Sequence, residues 1–280
     1  MKRHSIKMIG LDLDGTLLNS EKRISEYTRS VLNQAIEKGV IVLPSTGRPV
    51  TGLPKEVTDF PGIRYAVTSN GARVVDLKEN GKSVYECGVP VEKVKGVMKI
   101  LSKYDTMREV YYKGHGYAAG EKIDEVERYM SNPVMKEYIL ATRIRVDDID
   151  TYVEEHMESV DKVHILFADP EKEKMKAARE IEEMYPELNV TSALENNLEI
   201  NEEGANKGLA LIELGKLLGI ERDEIMACGD GLNDRAMIEE VGFGVAMENA
   251  MEEVKTVADY ITVSNDEDGV AKAIEKFVLN

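Results

Sequence analysis

The sequence predicts an α/β fold, with a parallel-sheet core carrying helices on both faces and a second α/β unit inserted into it. Short apolar runs at residues 6–11, 40–45 and 65–68 alternate with amphipathic helical stretches, and each run ends in polar residues. Near Val84 this pattern gives way to a different mixture of strands and helices, and after Asn206 the first pattern resumes. Alternation of this kind indicates parallel β-α-β units whose strand carboxyl ends form a functional rim.

Taken in order, residues 6–11 read as a buried strand that runs into Asp12-Leu13-Asp14-Gly15. Ile24, Tyr27, Val31, Leu32, Ala35 and Ile36 then fall on one helical face, with Ser25 as N-cap and Gly39 as the stop. The strand at 40–45 ends in Ser45-Thr46-Gly47-Arg48-Pro49, and the strand at 65–68 ends in Ser69-Asn70-Gly71.

The insert is expected to hold helices bearing Val94, Val97, Met98 and Leu101, and Ile123, Val126 and Met130. Its expected strands lie at 110–113, 163–168 and 189–192. Beyond it come a helix with Leu211, Leu214 and Leu218, strands at 225–229, 244–247 and 260–263, and a closing helix at 270–277. The expectation is therefore a Rossmann-like core of residues 1–84 and 190–280, with an inserted α/β domain of residues 85–189. No internal repeat occurs at a fixed period.

Composition narrows the partners. Lys and Arg total 36 against 52 Asp and Glu, a net charge of −16 that repels nucleic-acid backbones and anionic membrane surfaces. Cys87 and Cys228, far apart, are expected to be buried thiols in a reducing compartment. Met1-Lys2-Arg3-His4-Ser5 leads into an apolar run too short for a signal peptide or a spanning helix, so a cytoplasmic location is expected. Oligomeric state is left open.

Asp12 and Asp14, two residues apart at a strand end before Gly15, can face one pocket, although Asp and Gly are also ordinary turn formers. Three further places add complementary chemistry: the hydroxyl of Thr46, Lys207 before a helix, and the acidic pair Asp230 and Asp234. A phosphate ester needs this combination, because a carboxylate and a phosphoryl group repel until cations neutralise them. Asp12 and Asp230 offer the hard oxygen donors that Mg²⁺ prefers, whereas His4, His115, His156 and His164 show no zinc-binding spacing.

The stretch Asp12-Leu13-Asp14-Gly15-Thr16-Leu17-Leu18 resembles the first motif of the haloacid dehalogenase superfamily, and Gly229-Asp230-Gly231-Leu232-Asn233-Asp234 resembles its fourth. The run through Gly242, Val245, Ala246, Met247, Asn249 and Ala250 is similar to the signature of the Cof-type sugar phosphatases, which carry a large α/β cap. Together these motifs span essentially the whole chain.

The resemblance implies a Mg²⁺-dependent phosphatase acting on a small phosphorylated metabolite, most simply a sugar phosphate. Asp12 would be the nucleophile, and Asp14 the general acid and then base. Thr46 with the Gly47 amide, Lys207 and Asn233 would bind the phosphoryl group. The ion would be held by Asp12, the Asp14 carbonyl and Asp230, with Asp234 in or beside its shell. Asn70-Gly71-Ala72 also resembles a family feature near the site, and reads equally well as a plain turn. Ser45 stands where many relatives have alanine or threonine.

Within the superfamily a phosphosugar mutase is the enzymatic alternative, since a sugar hydroxyl can replace water. A phospho-aspartate regulatory module is the non-enzymatic one, and Asp14 opposes it by shortening the life of the acyl phosphate. Dehalogenation needs neither the second aspartate nor a metal. Ion-pump relatives carry a lysine where this chain has Leu13. The cap is expected to close over the site, exclude water and select the substrate. Arg108, Tyr111, Lys113, His115, Arg143 and Arg145 are its polar candidates.

Overall fold

The computed structural model describes residues 5–280. Met1–His4, part of the segment set aside above as too short for a leader, lie outside the described residues. The chain divides into two units. One comprises the chain up to Gly47, Leu53–Tyr85 and Asn206–Asn280, and the other comprises Arg48–Gly52 and Glu86–Ala205.

The first unit is built on a five-stranded parallel sheet in the order Tyr260–Ile261, Phe243–Ala246, Ile225–Gly229, Met8–Leu11, Ile41–Pro44. Every residue of Met8–Leu11 and Ile225–Gly229 is buried, as expected of parallel strands covered on both faces. These two adjacent strands lead to neighbours in opposite directions. Their right-handed crossovers therefore place the following helices, Glu26–Glu37 and Arg235–Glu240, on opposite faces of the sheet. Glu26–Glu37 packs with Gly269–Ile274, and Arg235–Glu240 packs with Lys207–Leu218. The reversal opens a crevice at the carboxyl ends of the two central strands. Asp12 and Asp230 are the residues that immediately follow those strands.

Ser25 caps the first helix as expected, its hydroxyl accepting from the Thr28 N–H at 3.0 Å. Beside the parallel sheet, Tyr65–Thr68, Arg73–Asp76 and Lys82–Glu86 form a three-stranded sheet, tied to the Ile41–Pro44 strand by a parallel bridge between Ser45 and Val67. The closing helix is shorter than expected, Gly269–Ile274, and relaxes into a wider π turn over Glu275–Leu279. Of the two thiols, Cys228 is buried and Cys87 only half-buried. Among the described residues, no helix is long and apolar enough to cross a membrane.

The second unit is a six-stranded sheet in the order Leu188–Thr191, Asn197–Glu202, Lys162–Phe167, Thr106–Tyr112, His115–Ala119, Arg143–Val146. Its pairs are antiparallel apart from the last, which is parallel. Val94, Val97, Leu101 and Ile181 from its helices pack against Val110, Val163, Ile165 and Ile200 on one face of this sheet.

The unit boundary differs from the expected return at residue 190, because Asn197–Glu202 pairs antiparallel with Lys162–Phe167 and so belongs to the inserted sheet. Its sequence, Asn-Leu-Glu-Ile-Asn-Glu, alternates instead of running apolar, since Leu198 and Ile200 enter the apolar core while Asn197, Glu199 and Asn201 are buried on the other face among polar partners. His115–Ala119 and Arg143–Val146 escaped notice in the sequence for a related reason: each has too few apolar residues to stand out from a loop.

Candidate active site

Asp12 lies one residue past the first strand and prolongs its pairing, with its N–H donating to the Cys228 carbonyl at 3.0 Å. Its side chain is buried, and Oδ1 accepts from the Lys207 ammonium at 2.7 Å. Lys207 is the first residue of the helix Lys207–Leu218, which Asn206 caps by accepting from the Leu209 N–H at 2.8 Å. A cation at a helix N-terminus opposes the helix dipole. Lys207 holds that place with no solvent exposure because a second carboxylate meets it, Asp234 Oδ1 at 2.6 Å. Burial by itself would lower the Lys207 pKa, but Asp12 and Asp234 outweigh it and hold the ammonium above its ordinary value.

Asp234 uses both oxygens within the protein. Oδ2 accepts from the N–H groups of Asp230 and Gly231 at 3.0 and 2.9 Å, folding the turn after the Ile225–Gly229 strand around its own carboxylate. Asp230 accepts at Oδ1 from the Thr16 hydroxyl, 2.6 Å away. Gly15 makes this approach possible: its φ of +88° suits glycine, and a Cβ there would run into the Asp230 carboxylate.

Oxygens of Asp12, Asp230 and Asp234 come within 4.8 Å of one another. Burial first, and then the charge of Asp234, hold Asp12 above the carboxylate range despite Lys207. The same two causes push Asp230 up to about 6. Three carboxylates thus face one ammonium, an excess of negative charge that a divalent cation cancels. Every donor is a hard oxygen, so the set fits Mg²⁺. Asp12 Oδ2 and Asp230 Oδ2 remain for an ion, whereas Asp234 is committed to Lys207 and the two backbone amides.

The remaining expected residues fall around this cluster. Asp14 is bridged to Leu18 across a tight turn, and its carboxylate, partly exposed, accepts from Lys22 Nζ at 2.9 Å, outside the acidic cluster. Thr46 is buried, its N–H donating to Val67 and its carbonyl accepting from the Asn70 N–H. Asn233 donates from Nδ2 to Asn70 Oδ1 at 3.2 Å. The Ser69–Gly71 turn is more than a chain reversal, because Gly71, at φ +95°, lies so close to the Asn206 backbone that any Cβ would overlap it. This contact sets the turn against the start of the Lys207 helix. Thr16 and Asn206 were not singled out for roles in the sequence, where a lone hydroxyl or amide carries no signal of its own.

Within the inserted unit, the polar candidates separate. Arg108 grips Asp150 with both carboxylate oxygens at 2.7 and 2.8 Å, and Arg145 pairs with Asp124 at 2.7 Å. Arg143 is buried and donates to Glu109 and to the Tyr111 hydroxyl, both at 2.9 Å. His164 adds a 2.9 Å contact to Glu109. Burial would raise the Glu109 pKa, but Arg143 and His164 reverse this and bring it to about 2. Lys113 sits over the Tyr112 ring, and His115 is exposed. The buried partners Glu109, Lys162, His164 and Glu199 went unrecognised because alternate strand positions carrying charge look like a solvated face.

The pKa of Asp230 gives a stability test. A carboxyl raised in the folded state contributes stability that is fully present below its unfolded pKa, about 4, and is lost as pH rises through about 6. In EDTA, Asp230→Asn should therefore melt close to wild type near pH 4.5 and above it at pH 7.5. Mg²⁺ should raise the wild-type melting temperature selectively at pH 7.5. A variant trailing wild type equally at both pH values in EDTA would contradict this electrostatic account.

The sequence profile of haloacid dehalogenase-like hydrolases matches residues 9–274. The 5-amino-6-(5-phospho-D-ribitylamino)uracil phosphatase YcsE of Bacillus subtilis is 34% identical over 277 residues, spanning 98% of this chain and 96% of that protein. A solved haloacid dehalogenase-like hydrolase from B. subtilis superposes with a TM-score of 0.82 at 30% identity, over 98% of this chain and 100% of the other. A subclass IIB sugar phosphatase of the same superfamily superposes with a TM-score of 0.80 at 25% identity, over 98% and 100%.

Proposed function

The chain belongs to the haloacid dehalogenase-like hydrolases, and from that premise we propose that it is a Mg²⁺-dependent phosphatase of small phosphorylated metabolites that works through an aspartyl-phosphate on Asp12. The observation that carries this reading is the buried Asp12–Lys207–Asp234 chain beside Asp230 at the crevice between the central strands. It supplies a nucleophile, a fixed cation and an ion-binding carboxylate at one point.

Asp12 and Asp230 would hold Mg²⁺ together with the Asp14 carbonyl, and the bound ion neutralises charge on the phosphoryl oxygens. Lys207 orients Asp12 and opposes the burial that raises its pKa. The Thr46 hydroxyl, the Gly47 amide and Asn233 bind the remaining phosphoryl oxygens. A carboxylate oxygen of Asp12 attacks phosphorus, the bond to the ester oxygen breaks, and Asp14 gives its proton to that oxygen. Asp14, now a carboxylate, removes a proton from water as the water oxygen attacks the same phosphorus. The acyl-phosphate bond breaks, phosphate leaves and Asp12 is regenerated. Asp234 acts through Lys207 and the turn at Asp230.

Sugar phosphates are the favoured substrates, supported by the fold shared with the subclass IIB sugar phosphatase. A phosphorylated ribityl chain is the second reading, supported by three B. subtilis relatives named as 5-amino-6-(5-phospho-D-ribitylamino)uracil phosphatases, each at least 30% identical. The deciding experiment measures phosphate release from hexose phosphates, pentose phosphates and 5-amino-6-(5-phospho-D-ribitylamino)uracil, with Mg²⁺ and with EDTA. Release is expected in Mg²⁺, loss in EDTA and recovery when Mg²⁺ returns. Folded protein that releases phosphate from none of them removes the phosphatase reading, and phosphoryl transfer between sugar hydroxyls with little free phosphate would mark a mutase instead.

A further inference from the structure

The turn that carries Asp14 is held from outside by two asparagines that the chemistry above does not use. Asn249 donates from Nδ2 to the Gly15 carbonyl at 2.8 Å and accepts at Oδ1 from the Asn265 N–H at 3.0 Å. Asn265 continues the connection, its Nδ2 donating to the Leu18 carbonyl at 2.9 Å. On the other side of Asn249, the Met247 N–H donates to the Gly229 carbonyl at 3.1 Å and the Met251 N–H to the Asp230 carbonyl at 3.0 Å. The strap therefore runs from the strand end that bears Asp230 to the two residues that flank Asp14, Gly15 next to it in sequence and Leu18 bridged to it.

The same C-terminal segment goes on holding the chain beyond the turn. Asp266 accepts from the Ser20 N–H and hydroxyl at 2.7 and 2.6 Å. Asp268 accepts from the Thr28 hydroxyl at 2.9 Å and from the Ser25 hydroxyl. Inside the turn, the Leu17 N–H donates to the Asp12 carbonyl at 3.1 Å and the Leu18 N–H to the Leu13 carbonyl at 2.9 Å. Gly15 and Leu18 are thus both held, which braces the backbone of Asp14 from either side.

We propose that Asn249 and Asn265 are positioning residues that set Asp14 for its two proton transfers, an inference that rests on the phosphatase reading above. The two Asn249 hydrogen bonds lie at the surface and the one from Asn265 to the Leu18 carbonyl is only partly buried, so water replaces them when the side chains are cut back and stability changes little. What changes is the spread of Asp14 positions, and small misplacements of a reacting group cost rate steeply. The effect depends on the leaving group: an alkoxide needs the proton of Asp14, whereas a nitrophenolate leaves without one.

Asn249→Ala and Asn265→Ala, compared with wild type in Mg²⁺, test this by single-turnover formation of the phosphoenzyme from a sugar phosphate and from p-nitrophenyl phosphate. Formation from the sugar phosphate should slow about tenfold, and from p-nitrophenyl phosphate by less than about twofold. Melting temperatures should move by no more than about 2 °C. Asn249→Asp keeps the acceptor for Asn265 but loses the donor to Gly15, and should behave like the alanine variant. Equal losses on both substrates, or no loss on either, overturn the positioning role while wild-type phosphate release leaves the phosphatase reading standing. A wild type that releases no phosphate removes both.

Discussion

Asp12→Asn is expected to lower phosphate release by about 10⁴-fold or more while the protein stays folded and melts at or above the wild-type temperature in EDTA. The two halves of this result have one cause. Asp12 is buried beside Asp234, and its carboxylate is held above the ordinary range because the fold pays for keeping it charged. An amide keeps an oxygen that can accept from Lys207 and removes one of three crowded negative charges. It also removes the nucleophile, so no acyl phosphate forms. Rapid-quench labelling should find no phosphoenzyme, and Mg²⁺ should raise the melting temperature of the variant less than that of wild type, because one of the ion's two free carboxylate oxygens is gone. Retained turnover in Asp12→Asn would overturn the mechanism.

Lys207→Met is expected to remove activity and to destabilise the fold together, by about 3–5 kcal/mol in a urea melt at pH 7.5 in EDTA. The ammonium has no exposure to water and touches Asp12 and Asp234 at 2.7 and 2.6 Å, so its loss leaves both carboxylates buried without a cation. Adding Asp234→Asn should recover part of the stability and none of the turnover, because the second change relieves charge without restoring a cation at Asp12. Lys207→Arg should not rescue activity: a planar guanidinium does not fit where a compact ammonium sits enclosed between two oxygens. A Lys207→Met protein as stable as wild type, or an active double variant, would show that the ion pairs do not hold the site.

Much of this site could be read in the chain, and the unread part has a consistent character. Asp12, Lys207 and Asp230 announce themselves because each stands at the end of an apolar run or at a helix start, where a charged residue is conspicuous. Asn206 and Asn265 carry no such contrast, and Thr16 and Asn249, although they stand in the quoted motifs, give no sign in the sequence of which residues they meet. Asp14 was marked by its spacing from Asp12, but its pairing with Lys22 depends on a turn in which Lys22 adopts a left-handed φ of +62°. The boundary of the inserted unit is hidden in the sequence for a similar reason, since Asn197–Glu202 shows its apolar side at every second residue only and pairs with a strand more than 30 residues earlier.

The sequence by itself determined the alternation of buried strands and helices, the interruption by a second unit and the polar residues at which the central strands stop. Those features are set by near neighbours along the chain, because a strand covered on both faces must be apolar and must end where the chain turns polar. Only the tertiary structure decided which charges meet. Lys207 reaches Asp12 across 195 positions, Thr16 reaches Asp230 across 214, and Asn249 reaches Gly15 across 234. Those meetings follow from the order of strands in the sheet, which places Met8–Leu11 beside Ile225–Gly229, and from the need of each buried charge for a partner. Neither condition is local, so neither is written in any single stretch of the chain.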